Sequence, residues 1–179
     1  VDLFKDGSSY TVRQPVNGFG ALLDGIEANV QTAFTFLPKP FDGFGASANF
    51  SYSRALRTNL TNSATGAELK EYPGMSKYTY NASVFYDKDW LNFRLSYNKR
   101  SKWLATVIDA NNGNNPLYRK AEGYLDGKIT LRFPEYHFSV FVEAQNLNKE
   151  FTKLYINKDM PVDVAYPGQR FFVGVQGKF

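Results

Sequence analysis

WLNFRLSYNKR, residues 90–100, is the stretch whose reading decides the fold. Leu91, Phe93, Leu95 and Tyr97 stand at every second position, with Asn92, Arg94, Ser96 and Asn98 between them. Successive side chains of an extended strand point to opposite faces, whereas a helix repeats every ~3.6 residues. The stretch is therefore a strand with one oily and one polar face. KYTYNASVFY at 77–86 repeats the pattern, with Tyr78, Tyr80, Ala82, Val84 and Tyr86 opposing Lys77, Thr79, Asn81 and Ser83. So does the C-terminus, where Phe171, Val173, Val175, Gly177 and Phe179 oppose Arg170, Gln176 and Lys178.

The same test gives seven strands, at about 21–37, 43–55, 76–87, 90–103, 121–133, 137–147 and 169–179. No stretch keeps a helical period for more than a turn or two, and no composition shift divides residues 1–179. The connections alternate in length. Pro38–Asp42, Asp87–Asp89 and Pro134–Tyr136 are short and built of turn residues, while 56–75, 104–120 and 148–168 are long. Tight turns on one side and extended loops on the other are expected of an outer-membrane barrel. The three long loops are accordingly expected to share one end.

Alternation alone does not say whether the oily face meets a protein core or lipid; aromatic placement bears on that. Phe36, Phe44, Tyr86, Trp90, Phe133, Phe138 and Phe179 lie beside short turns or the chain end. Tyr52, Tyr78 and Phe171 each stand eight residues from a member of that row. Eight tilted residues span roughly 20 Å, close to the ~25 Å apolar band of a membrane barrel with its two aromatic girdles. The opposite face carries Glu27, Asn29, Gln31, Ser47, Asn49, Ser51, Thr79, Asn81, Arg94, Asn98, Asp126, Lys128, Arg132, Glu143 and Arg170. Charges of both signs there suit a wide aqueous or plugged lumen. Seven strands leave two unpaired edges, so more strands are expected from elsewhere.

Composition narrows the function. The chain has 179 residues, 21 Lys+Arg against 17 Asp+Glu, and a net charge of +4, too mild to argue for nucleic acid. With no Cys and a single His, His137, thiolate metal sites and the usual zinc and general-base constellations are absent from the sequence. Phe, Tyr and Trp make up 17% of the chain at a mean hydropathy of −0.40. The chain starts at Val1 without a signal peptide and reads as a piece of something longer. Asp109–Asn115 lacks the acidic repeat of a calcium loop and reads as a loop tip. Asp87 and Asp89 read as turn formers, and the glycine pairs Gly18/Gly20 and Gly43/Gly45 fail the dinucleotide fingerprint. No catalytic constellation is found, so the expectation is a non-enzyme without cofactor or metal.

Six stretches carry a resemblance: GIEANVQ at 25–31, LPKPFDGFGASANFSYS at 37–53, PGMSKYTYN at 73–81, YNKRSKWL at 97–104, AQNLNKE at 144–150 and GQRFFVGVQGKF at 168–179. In this order and spacing they resemble the last third of the barrel of TonB-dependent outer-membrane receptors. The resemblance implies an all-β chain, the C-terminal seven strands of a transmembrane antiparallel barrel of about 22 strands around a plug. It implies a Gram-negative outer membrane, uptake of a scarce nutrient (a carbohydrate, or an iron–siderophore complex), and TonB coupling through a plug this sequence does not contain. The partners it implies are outer-membrane lipid, the remaining barrel strands, the plug and the barrel-assembly machinery. Phe171, Val173, Val175 and Phe179 resemble the terminal signal which that machinery reads. Arg100 and Trp103, with Tyr118 and Tyr155 in the long loops, are the candidates for touching cargo, by guanidinium pairing and ring stacking. A passive porin and a soluble β-sandwich binding module are the alternative readings.

Overall fold

Thirteen strands form, in a computed structural model that describes residues 20–156 and 160–177. In chain order they are β1 (Leu22–Ala33), β2 (Phe44–Arg57), β3 (Leu60–Thr61), β4 (Glu68–Leu69), β5 (Tyr78–Asp87), β6 (Leu91–Arg100) and β7 (Trp103–Asp109). There follow β8 (Asn115–Arg119), β9 (Glu122–Phe133), β10 (Phe138–Gln145), β11 (Thr152–Ile156), β12 (Met160–Ala165) and β13 (Arg170–Gly177). The chain is all-β: its only helical pieces among the described residues are three single 3-10 turns. No helix there is long and apolar enough to cross a membrane, which says nothing of strands.

The seven strands expected from alternation build one sheet in the order β1-β2-β5-β6-β9-β10-β13, every pair antiparallel. Two boundaries differ from expectation by three residues or more. The first strand stops at Ala33, because Leu37 N–H donates to Phe34 O in a turn and the prolines at 38 and 40 have no N–H for a ladder. The fourth stops at Arg100. There Ser101 N–H donates to Tyr78 O and Ser101 Oγ accepts from Tyr78 N, so one residue closes the ladder with both its backbone and its side chain.

Register follows the alternation closely. Across the oily face run Val30, Ala48, Ala82, Tyr97 and Leu125, each the cross-strand partner of the next. Neither of the other two sheets covers that face: Ile26, Val30, Val173 and Val175 are 67%, 62%, 75% and 70% exposed. The buried apolar side chains among the described residues are Leu69, Trp103, Leu104 and Ile156, all in the long connections. The hydrophobic core therefore sits above the seven-stranded sheet and not against it.

The short-turn end carries paired rings, Phe44 with Tyr86 and Phe133 with Phe138, each 4.8 Å between centroids. There Lys88 Nζ meets Asp42 at 2.8 Å, a hydrogen bond that holds the aspartate below and the lysine above its usual pKa. At the other end the rings of Tyr52 and Tyr78 lie 5.4 Å apart. Phe171, Val173 and Val175 line the oily face of the edge strand β13, and Phe179 lies outside the described residues.

Phe85, Tyr124, Phe141 and Phe172 stand on the polar face, and glycine makes room for two of them. Phe85 covers Gly45 and Phe141 covers Gly174. Arg94 and Lys128 sit over these rings, 5.3 and 4.6 Å from the centroids. The atoms nearest a methyl group added at Gly174 belong to the Phe141 ring, which can swing, but one at Gly45 also lies 2.8 Å from the backbone oxygen of Thr32. Gly45→Ala is therefore expected to cost about 1–3 kcal/mol, and Gly174→Ala less, in equilibrium denaturant unfolding. Equal costs would show that the backbone contact is not what excludes a side chain.

Candidate functional site at the long-loop end

The polar face is built in rows. Asn29, Asn49, Asn81 and Asn98 are successive cross-strand partners over β1, β2, β5 and β6, an unbroken asparagine ladder that ends on Tyr124 of β9. The next row toward the short turns is Gln31, Ser47, Ser83, Ser96 and Asp126, with the Ser47 and Ser83 hydroxyls 2.7 Å apart. The asparagines and serines of these rows, with Gln31, line a shallow groove of about 220 Å³. Primary amides carry two donors and an acceptor with two lone pairs, so this is a surface of neutral hydrogen-bonding groups.

Toward the long loops the rows end in Glu27, Ser51, Thr79, Arg100 and Glu122. A cavity of about 320 Å³ opens here, lined by Thr79, Asn81, Asn98, Arg100, Glu122 and Tyr124 together with Lys99. One carboxylate oxygen of Glu122, Oε2, is buried without a hydrogen-bond partner. Cation, anion, amide, hydroxyl and a phenol ring thus converge on one hollow. It is equipped to hold a polar, hydroxyl-bearing ligand edge by hydrogen bonds.

Of the four residues expected to meet cargo, the structure brings Arg100 to Trp103 and Tyr118 to Tyr155. The Arg100 guanidinium lies 3.5 Å from the centroid of the Trp103 ring, and Arg119 approaches the same ring at 5.9 Å. Arg100 also donates from Nε to Ser76 Oγ and from Nη2 to Gly74 O, both at 2.8 Å, tying the first long loop to the top of β6. Trp103 is 8% exposed, so most of its ring is engaged in packing the loops. Tyr118 and Tyr155 stack at 5.8 Å in the next layer, and partial burial pushes the Tyr118 hydroxyl up from its ordinary pKa. Lys102 lies 5.8 Å from the Tyr118 ring.

The long connections are themselves folded, which alternation did not indicate. β7, β8, β11 and β12 form a four-stranded sheet in the order β12-β11-β8-β7, joining the second and third loops, and β3 pairs with β4 inside the first. These strands are short, and the β7–β8 pairing is shifted at Leu104/Thr106 and Thr106/Asp109, so their sequences show no period of two. Asp109 accepts from Asn111 N–H and from the Asn112 side-chain amide, capping a 3-10 turn at the tip expected from the asparagine run.

A second polar knot lies in AQNLNKE. Asn146 is 5% exposed and its side chain accepts from Glu150 N (2.7 Å) while donating to Glu150 O and Gly168 O, both at 3.0 Å. Its own N–H donates to Asp126 Oδ1 at 2.8 Å. Asn148 accepts from Leu125 N and donates to Gly123 O, and Gln169 donates to Leu147 O. These contacts fix where the third loop leaves β10 and returns to β13. His137 caps a short turn with φ 55° and is exposed, and among the described residues no cluster of acidic and histidine side chains is suited to hold a metal.

No protein-family model, no curated protein and no solved structure matches this chain.

Proposed function

We propose that this chain forms part of the wall of an outer-membrane active transporter of the TonB-dependent kind, importing a carbohydrate or an iron–siderophore complex. The observation that carries the reading is the seven-stranded antiparallel meander with one face oily and open and the other polar across every strand. A soluble domain rarely leaves so large an apolar surface uncovered. Lipid is the solvent that stabilises it, and the free edges of β1 and β13 then belong against further barrel strands. The polar rows face a lumen filled by a plug, and the hollow around Arg100, Glu122 and Tyr124 lies at its outer mouth, where cargo is first held. The family assignment rests on the six sequence stretches, and active transport rests on that assignment.

Energy coupling is the property to test, since a passive porin shares the wall but not the coupling. Cells bearing the intact protein are given labelled oligosaccharides or ferric siderophores, with and without a protonophore. Uptake is expected to stop when the proton gradient collapses while surface binding persists. Uptake that continues unchanged would replace this proposal with a passive pore. A protein that fractionates in solution without detergent would remove the membrane reading itself.

A further inference from the structure

Where the oily face ends toward the long loops, a cavity of about 550 Å³ opens beneath the first loop. Its walls include Tyr52 and Arg54 of β2, Tyr78 of β5, and Lys70, Lys77 and Lys102, with Glu71 the one carboxylate in the lining. Arg54 is engaged by Asp24 at 2.7 Å. Among the described residues none of the ion pairs engages Lys70, Lys77 or Lys102. The Lys77 ammonium lies 5.8 Å from the Tyr52 centroid and 5.5 Å from that of Tyr78, so both rings and the charge border the same hollow. The tyrosines in turn continue the oily face: Phe50 and Tyr80 are paired across the same two strands, with ring centroids 5.2 Å apart.

We infer that this cavity holds the phosphate-bearing headgroup of a membrane lipid, whose chains lie along Phe50 and Tyr80. Three lysines that no ion pair among the described residues engages, against the single carboxylate of Glu71 in the lining, call for an anion. A hollow far larger than a phosphate ion, walled by rings and open onto apolar surface, calls for that anion to carry an apolar body. Only a lipid presents both at the level where the oily band stops. The inference rests on the membrane reading above, and it adds a site on the outside of the wall, on the opposite face of the sheet from the mouth.

The test uses the intact protein in a nonionic detergent, mixed with equal amounts of dioleoylphosphatidic acid and dioleoylphosphatidylcholine, with retained lipid read by native mass spectrometry. The wild type is expected to retain the phosphatidic acid preferentially. Lys70→Gln, Lys77→Gln and Lys102→Gln combined are expected to lower that preference about a hundredfold, each basic side chain near a charged lipid surface being worth roughly fivefold. Glu71→Gln is expected to raise it, and Lys39→Gln, at the short-turn end, to leave it unchanged. No preference in the wild type, or an equal loss in Lys39→Gln, would overturn the inference. Displacement of the lipid by an equal concentration of inorganic phosphate would also overturn it, by showing a plain phosphate site. Heat-modifiable migration of the same preparation reads insertion separately. A protein that never inserts fails both readings, whereas one that inserts without lipid preference fails this one alone.

Discussion

Val84→Arg is expected to destabilise the intact protein by about 2–4 kcal/mol when it is unfolded with denaturant from lipid vesicles. Val84 sits midway along β5 on the oily face, paired with Ala46 on one side and Leu95 on the other. It is 45% exposed, with no protein over it. In water an arginine there would be tolerated, because its charge would be solvated. In hydrocarbon the guanidinium must either desolvate or drag water and headgroups inward. Ser83→Arg, one residue away on the polar face, should lose only its hydroxyl contact with Ser47, about 1 kcal/mol. The comparison isolates what each face touches. Equal costs at the two positions would mean that no lipid lies against Val84.

Asn146→Ala is expected to be nearly as damaging, at about 2–4 kcal/mol by the same unfolding measurement, through loss of buried hydrogen bonds and not through any lipid contact. Removing the amide leaves Glu150 N, Glu150 O and Gly168 O without the partner they now share. The backbone adds to the cost: Asn146 has φ 56°, a left-handed conformation that asparagine tolerates better than alanine. Three substitutions separate the two effects. Asn146→Gly should recover the conformational part only, and Asn146→Asp should keep both the conformation and the bond from Glu150 N. An order in which Gly matches the wild type would show that the amide bonds contribute nothing.

The seven-stranded sheet was legible because its determinant is local. In 91–98 each residue announces its face by chemistry alone, and antiparallel pairing of equally patterned neighbours leaves one register that keeps the oily side chains together. The rows of the polar face follow from that register, so the Asn29–Asn49–Asn81–Asn98 ladder was implicit in the pattern. Glu122 and Tyr124 could have been found the same way, since pairing β6 with β9 sets Glu122 opposite Arg100. The folded loops were not legible. Trp103 and Leu104 are neighbours and both buried, which no one-sided alternation produces, and their partners Arg119 and Tyr118 come from a bulged pairing whose register only the three-dimensional packing decides. Phe85 and Phe141 escaped notice for a related reason. Each of these two rings makes sense on the polar face only once the glycine opposite it is known.

The pairing of β8 with β11 has a mechanical corollary. Leu117, Tyr118 and Arg119 are zipped to Ile156, Tyr155 and Leu154, and Lys120 N–H reaches Lys153 O just beyond. The second and third connections consequently move as one stiff plate, and neither can swing alone without tearing backbone bonds. A residue inserted in one of them has to be absorbed by the other, so the two segments are bound to diversify in concert while the first, held mainly through Gly74 and Ser76, drifts more freely.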